Sequence, residues 1–387
     1  MPKSIPLASR FYEPVVDQHE SWIAVNPRQG CPKNCGYCYL KDRGQTLVKP
    51  VEVATPKDTV AQLLASPYYH RDAVLALYTC TDALATPPNR AHLIKLLHAL
   101  AAECIPNPVC LITKCAFTPE VLTCLETVQR KGLRVIVYLS YSGLGPDVEQ
   151  GIDHDALRAN FPALHHIGTP VIHYWRPFLP TNSTPEAVTR VLDHVTQYAR
   201  CSVAIGLKVK PGGHELLTGL WPELADNAKD DVERASSVWP EQMRAMLPHL
   251  PDTYGDYPIY ETNTCALSYV LDQPDRFHIL GSTVCEKQNH CPAAQRALCE
   301  RGESAPPVNE NTITAHLEKL GVTQVRWSWD PASKTLTFLA PIPTAPANNL
   351  AQTLRIRVRT AANASDHYWT GKVTGSVPLM IPDNRDI

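Results

Sequence analysis

Residues 21–40 read Ser21-Trp22-Ile23-Ala24-Val25-Asn26-Pro27-Arg28-Gln29-Gly30-Cys31-Pro32-Lys33-Asn34-Cys35-Gly36-Tyr37-Cys38-Tyr39-Leu40. The apolar run at 21–26 is strand-like, and it leads into a loop of Gly, Pro and Asn that carries three cysteines. The gaps between those cysteines are three and two residues. Three thiolates so spaced can wrap one iron–sulfur cubane, since thiolates are the usual ligands of such clusters. A zinc site asks for a fourth Cys or His nearby, and the next candidate along the chain is His70. Three ligands and a vacancy leave one iron open to a substrate or cofactor. Three buried or zinc-bound cysteines are the plainer alternative.

Five more apolar runs follow, at 73–78 (AVLALY), 109–113 (VCLIT), 134–140 (RVIVYLS), 171–175 (VIHYW) and 202–208 (SVAIGLK). Their near-continuous apolar character is that of parallel strands buried on both faces. Helical patterns stand between them. At 89–103, Leu93, Leu96, Leu97 and Leu100 share a stripe. Thr118-Pro119 and Thr184-Pro185 are helix starts, and a further helix is predicted over 155–167. Six βα units predict an α/β fold, a partial (β/α)6 barrel of parallel strands, short of the eight units of a closed barrel. A Cys-rich C-terminal extension and a small α+β tail follow. The expected division is a core over 1–211, the extension over 212–306 and an appendage over 307–387. In the last, a helix at 312–320 precedes strand-like runs at 323–329, 335–339 and 354–358.

The chain has 387 residues, 36 Lys plus Arg against 38 Asp plus Glu, and a formal charge of −2. That balance argues against a broad basic surface for nucleic acid or anionic membrane, though a local patch is compatible with it. An apolar fraction of 44% excludes global disorder. Thirty-five prolines beside 18 glycines predict long, stiff connections. No stretch approaches the ~20 apolar residues of a membrane span, and the first residues lack the apolar core of a secretory signal, so the cytoplasm is the expected compartment. Thirteen cysteines there are not a disulfide framework.

The CxxxCxxC spacing, with an aromatic before the last cysteine and a place at the end of the first strand of a βα series, resembles the radical S-adenosylmethionine superfamily. Tyr37-Cys38-Tyr39-Leu40, Tyr78-Thr79-Cys80-Thr81-Asp82 and Ile112-Thr113-Lys114 resemble, more weakly, its spore photoproduct lyase-like members. The resemblance implies that Cys31, Cys35 and Cys38 hold a 4Fe–4S cluster whose unique iron binds S-adenosylmethionine. One electron then cleaves the sulfonium to a 5′-deoxyadenosyl radical. It also implies cofactor contacts from Tyr37, from Thr81 or Asp82 toward the amino group, from Ser140 and Ser142 toward ribose or carboxylate, and from Arg176 near the adenine. An electron donor such as flavodoxin or ferredoxin is an implied partner. These residues and Lys208 all fall at strand ends, where ligands collect in parallel α/β sheets.

Cys265, Cys285, Cys291 and Cys299 form a second group with gaps of 19, 5 and 7 residues. Four ligands suit a second 4Fe–4S cluster, with His290 able to replace one thiol; a structural zinc or free cysteines are the alternatives. Cys265 is alternatively a lone thiol facing the radical, and Cys80 is the other thiol placed to reach the pocket. Lys208 and Lys210 are candidates for a substrate phosphate or carboxylate, or a solvated loop. Arg355, Arg357 and Arg359 would make a basic strand face with period 2. The leading expectation is a radical S-adenosylmethionine enzyme acting on a nucleotide or nucleic acid, or on a natural-product or peptide substrate. Its rivals are a zinc-stabilised nucleic-acid-binding protein and a non-catalytic iron–sulfur electron carrier.

Overall fold

Threonine and proline set the helix starts. Thr55, Thr86, Asp153 and Thr184 each accept a backbone N–H of the first turn with their side chains. Pro56, Pro87, Pro119 and Pro185 each begin a helix, where a missing N–H costs nothing and φ is already helical. Part of the proline content thus punctuates helices rather than stiffening connections. The computed structural model describes residues 12–210, 212–235, 237–275, 291–301, 307–360 and 379–382.

The central sheet has eight strands in chain order: β1 (Val16–Gln18), β2 (Ile23–Val25), β3 (Leu75–Leu77), β4 (Val109–Thr113), β5 (Val135–Leu139), β6 (Val171–Trp175), β7 (Cys201–Ala204) and β8 (Ile259–Tyr260). β1 runs antiparallel to β2, and every later pair is parallel. The crossovers run through α1 (Pro56–Ala65), α2 (Pro87–Ala102), α3 (Pro119–Arg130), α4 (His154–His166) and α5 (Pro185–Val195). The sheet is open, with β1 and β8 at its edges. The six expected strands are present, and two more extend the sheet. β8 comes from the stretch beyond 212, so the Cys-rich segment is built onto the sheet edge rather than appended to it.

Alternation along the strands divides the core. Ile23, Val25, Leu75, Leu77, Val135 and Val137 face α1–α5 and join one apolar cluster. Trp22, Ala24, Ala76, Cys110, Ile136, Tyr138, Ile172 and Tyr174 form a second cluster on the opposite face. That face is covered by Ala266, Leu267 and Val270 of α6 (Asn263–Val270). Between β7 and β8 the chain makes several short helical pieces in place of one crossover helix.

After α7 (Ala293–Arg301), the tail comprises α8 (Glu310–Lys319), β9 (Trp327–Asp330), β10 (Thr335–Phe338), α9 (Thr344–Leu354) and β11 (Arg357–Thr360). Its strands lie in the order β9-β10-β11 around a separate core of Ile313, Leu317, Leu336, Phe338, Leu350 and Val358. The strand expected at 354–358 begins later, because α9 runs to Leu354 and Arg355 turns the chain at φ 53°. Arg357 and Arg359 are therefore strand residues and Arg355 is not. The tail is pinned to the sheet by Asn349, whose Nδ2 donates to Gln18 Oε1 at 2.8 Å and to the Tyr68 carbonyl at 2.9 Å. No described helix is long and apolar enough to cross a membrane.

Candidate active site at the strand ends

The cysteine loop leaves β2 and is framed from several sides. Asn26 Oδ1 accepts from the Cys80 amide and from Thr79 Oγ1, each at 3.1 Å, tying the end of β2 to the end of β3. Gly30 donates its amide to the Cys80 carbonyl at 3.0 Å. Its φ is +91°, and a Cβ there would meet Val48 Cγ2 at 2.9 Å, so glycine is required on both counts. Tyr78 also has a left-handed φ, of 60°, although it is a buried tyrosine. Such strain persists only where the surroundings enforce it, and here it turns residues 79–82 toward the loop.

Thr81 and Asp82 belong to this frame. Thr81 Oγ1 donates to the Gly30 carbonyl and accepts from Asn89 Nδ2 at 3.3 Å. The Asp82 carboxylate accepts from Thr113 Oγ1 at 2.9 Å, from the Lys114 amide at 2.8 Å and from the Leu84 amide at 2.9 Å. It cross-links the ends of β3 and β4. Ser140 is buried, and its carbonyl accepts from Lys114 Nζ at 2.7 Å. Ser142 is fully buried and donates Oγ to Glu149 Oε1 at 2.8 Å. Arg176 donates Nη1 to the Tyr174 hydroxyl at 2.9 Å, and Asn263 of α6 reaches the same hydroxyl at 3.5 Å.

Cys31, Cys38, Cys80 and Leu40 pack together. Burial pushes the Cys31 and Cys35 thiols up to about 12 and Cys80 up to about 11. For Cys35, Lys114 acts in the lowering direction and Glu149 in the raising one. Without metal these thiols keep their protons, so binding of a cation and release of protons are one event. By its chemistry the donor set fits an iron–sulfur cluster: three thiols at 31, 35 and 38 on a loop whose backbone is fixed by partners outside it, with Cys35 packed into the main core and the three not gathered around one metal position. Beside it, Tyr39 is 41% exposed. Arg43 Cζ lies 5.6 Å and Lys210 Nζ 5.1 Å from the centre of its ring. Burial and then Arg43 and Lys208 lower the Lys210 pKa below its usual value.

The second group of cysteines is arranged differently. Cys265 and Cys291 both lie against the face covered by α6. Cys291 Sγ is 3.8 Å from the Tyr260 hydroxyl, and Cys265 bears on Cys201 at the start of β7. Cys299 Sγ instead accepts from the Asp275 amide at 3.3 Å and from Gln295 Nε2 at 3.4 Å. Cys285 and His290 lie outside the described residues. Among the described residues, no three His, Cys, Asp or Glu side chains converge as ligands of one metal ion.

Glu149 is the site residue that sequence reasoning missed. It is fully buried, and its Oε1 accepts from Tyr37, Lys114 and Ser142. Burial and Glu149 together keep the Tyr37 hydroxyl protonated. Glu149 stands in a polar stretch, where a glutamate reads as solvated surface. Its role depends on partners that folding brings from other elements.

No protein-family model matches the sequence, and no curated protein matches it significantly. Solved structures do resemble the fold. A spore photoproduct lyase C140S mutant superposes with a TM-score of 0.50 at 11% identity, covering 65% of this chain and 80% of that one. The same enzyme complexed with dinucleoside spore photoproduct gives 0.48 at 10% identity, over 62% and 76% of the two chains. Streptococcus suis SuiB bound to S-adenosylmethionine gives 0.37 at 14%, over 54% and 47%. The resemblance first read from three short motifs is thus matched in architecture: this chain shares the fold of spore photoproduct lyase.

Proposed function

We propose that this protein is a radical S-adenosylmethionine enzyme in which Cys31, Cys35 and Cys38 hold a 4Fe–4S cluster. The observation that carries the reading is one loop with three thiols, lying past the end of β2 and tied to the end of β3, in a mostly parallel open sheet. The bound cluster and cofactor supply one-electron cleavage of the sulfonium and a carbon radical able to abstract hydrogen from a substrate.

The chain's own contribution is to hold and to exclude. Asn26, Gly30, Thr81 and Asp82 fix the loop against β3 and β4. Polar groups at 81–82, 140–142 and 176 ring the cofactor's place, with Tyr37 set between two of the ligands. Tyr39 with Lys210 joins an aromatic face to a cation, beside an Arg43 already paired with Glu13, which favours an anionic substrate carrying a ring, such as a nucleotide or nucleic acid. Natural-product substrates with a carboxylate or phosphate fit the same groups. Cys80 is the thiol best placed to return a hydrogen atom, since it packs against Cys31 and Cys38, whereas Cys265 bears on the start of β7. Cys265, Cys285, Cys291 and Cys299 are assigned to a second cluster, with zinc as the rival occupant. The division into core, extension and appendage at 211 and 306 is one of sequence, since strands from beyond both boundaries pair across them, and flavodoxin or ferredoxin serves as the electron donor.

Anaerobic reconstitution with iron and sulfide, followed by dithionite and S-adenosylmethionine, tests the reading. Brown protein that yields 5′-deoxyadenosine is the expected result. Colourless zinc protein, or iron–sulfur protein that yields none, overturns it. Oligonucleotide binding that weakens with salt identifies nucleic acid as the substrate, and indifference to oligonucleotides points to the smaller compounds.

A further inference from the structure

A second stretch of chain lies along the cysteine loop. Asn34–Cys35 pairs antiparallel with Glu149–Gln150, more than a hundred residues away. Gly36 donates its amide to the Val148 carbonyl at 2.7 Å, and Asn34 Nδ2 donates to Gln150 Oε1 at 2.8 Å. Lys33 Nζ donates to the Gly151 carbonyl. The segment from Val148 to Gly151 is thus an external template for the loop. From within it, Glu149 reaches inward to three elements: the Tyr37 hydroxyl in the loop, Lys114 Nζ after β4 at 2.8 Å and Ser142 Oγ after β5 at 2.8 Å.

All three donors meet one oxygen. The other, Oε2, is buried without a hydrogen-bond partner, and His154 Nδ1 stands 3.7 Å from it. Burying a carboxylate is unfavourable even when it is paired, and leaving one of its oxygens unsatisfied adds to the cost. A template for backbone alone would be served as well by a neutral side chain. A negative charge kept here, one hydrogen bond from the ring between Cys35 and Cys38, points to a task toward the bound group.

We propose that Glu149 is a positioning residue for the cluster: through Tyr37 it fixes the span between Cys35 and Cys38, and its charge, set against Lys114, tunes how readily the cluster takes an electron. This rests on the reading that those cysteines hold a 4Fe–4S cluster. Outer-shell partners of this kind commonly alter metal affinity by roughly 10–100-fold.

The test uses the full-length protein, reconstituted anaerobically, as wild type, Glu149→Gln, Glu149→Ala and Tyr37→Phe, with Glu186→Gln on the exposed face of α5 as a control for net charge. Iron and sulfide per chain, the EPR spectrum of the reduced protein, the midpoint potential and the rate of iron loss to a chelator are measured. Glu149→Gln keeps an acceptor for Tyr37 and Ser142 but leaves the Lys114 cation uncompensated. It is expected to load iron as wild type does and to move the midpoint to more positive potential. Tyr37→Phe and Glu149→Ala are expected to lose iron to chelator roughly tenfold faster or more, with altered EPR line shape. Variants that match wild type in midpoint, spectrum and chelator rate overturn the inference while the cluster reading stands. A Glu186→Gln shift as large as that of Glu149→Gln also overturns it. Wild type that takes up no iron–sulfur cluster removes both. Should Glu149→Ala fail to fold, the midpoint of Glu149→Gln decides.

Discussion

Two regions of this chain are rich in cysteine, and they are built on opposite plans. Around Cys31, Cys35 and Cys38 the backbone is pinned by residues from the ends of β2 and β3 and from the segment at 148–151. The thiols of Cys265, Cys291 and Cys299 stand on or beside short helices, two against the face covered by α6 and the third in its own pair of hydrogen bonds. The first region carries its three thiols on one loop of eight residues, although there too they are not gathered around one metal position. In the second, Cys265 and Cys291 share one face, and any ligand common to all three must also draw in Cys299, which stands in other surroundings. Spacing in sequence marks both regions, and in the first the bonds that frame the loop reach from the ends of β2 and β3 and from the segment at 148–151.

The sharpest way to break that comparison is to remove one thiol from each region. Cys35→Ala is expected to abolish 5′-deoxyadenosine formation, a loss of several orders of magnitude limited by detection. Cys291→Ala is expected to lower bound iron by one cluster's worth while leaving measurable cleavage. Equal loss of cleavage in both variants would erase the functional distinction between the regions. Unchanged iron in Cys291→Ala would remove the second cluster.

The frame of the first region is the next target. Asp82 accepts from Thr113 Oγ1 and from the amides of Lys114 and Leu84. Asp82→Ala leaves these donors without their acceptor, and hydrogen bonds to a charged group are worth about 1.5–3 kcal/mol each. Because the site is only partly buried and water replaces some of the loss, a destabilisation of about 2–4 kcal/mol is expected in denaturant melts. Cluster retention should fall in parallel. A loss below roughly 0.5 kcal/mol, the range of ordinary surface substitutions, would show that the loop's frame does not depend on this carboxylate.

How much of this was legible follows from where each signal resides. β4, β5 and β6 are runs of five residues, nearly all apolar, and the sequence marks them almost to the residue. Thr118-Pro119 and Thr184-Pro185 announce α3 and α5 by local chemistry. The three cysteines are legible for the same reason, their spacing being covalent. β8 has two residues, too few to carry a pattern. α9 includes Pro346, Asn348 and Asn349, weak helix formers whose place is decided by packing and by bonds to β1 and Tyr68. Glu149 meets Tyr37 across 112 residues of chain, and nothing local distinguishes it from a surface glutamate.

The smallest expected effect tests how the two regions are joined. His173, on β6, is fully buried, with one ring nitrogen 2.8 Å from the Tyr141 carbonyl and the other 2.8 Å from Ser202 Oγ. Ser202 in turn lies 3.1 Å from the Tyr257 hydroxyl, just before β8. This short chain of polar contacts runs from the strand ends beside Ser142 to the stretch that leads into Cys265. Burial lowers the pKa of His173 from 6.5 to about 3, so the folded protein holds the ring neutral. The unfolded chain binds a proton below pH ~6.5 and the folded one does not until about pH 3. Stability is therefore full above the unfolded value and falls as the pH drops, by up to about 1.4 kcal/mol per pH unit for this group alone. His173→Gln keeps hydrogen-bonding capacity but cannot titrate. Its denaturant midpoint should lie below that of wild type at pH 7 and converge with it toward pH 5. Parallel curves would mean that His173 takes up its proton in the fold as readily as in the unfolded chain, and that the link between the two regions does not depend on a neutral imidazole.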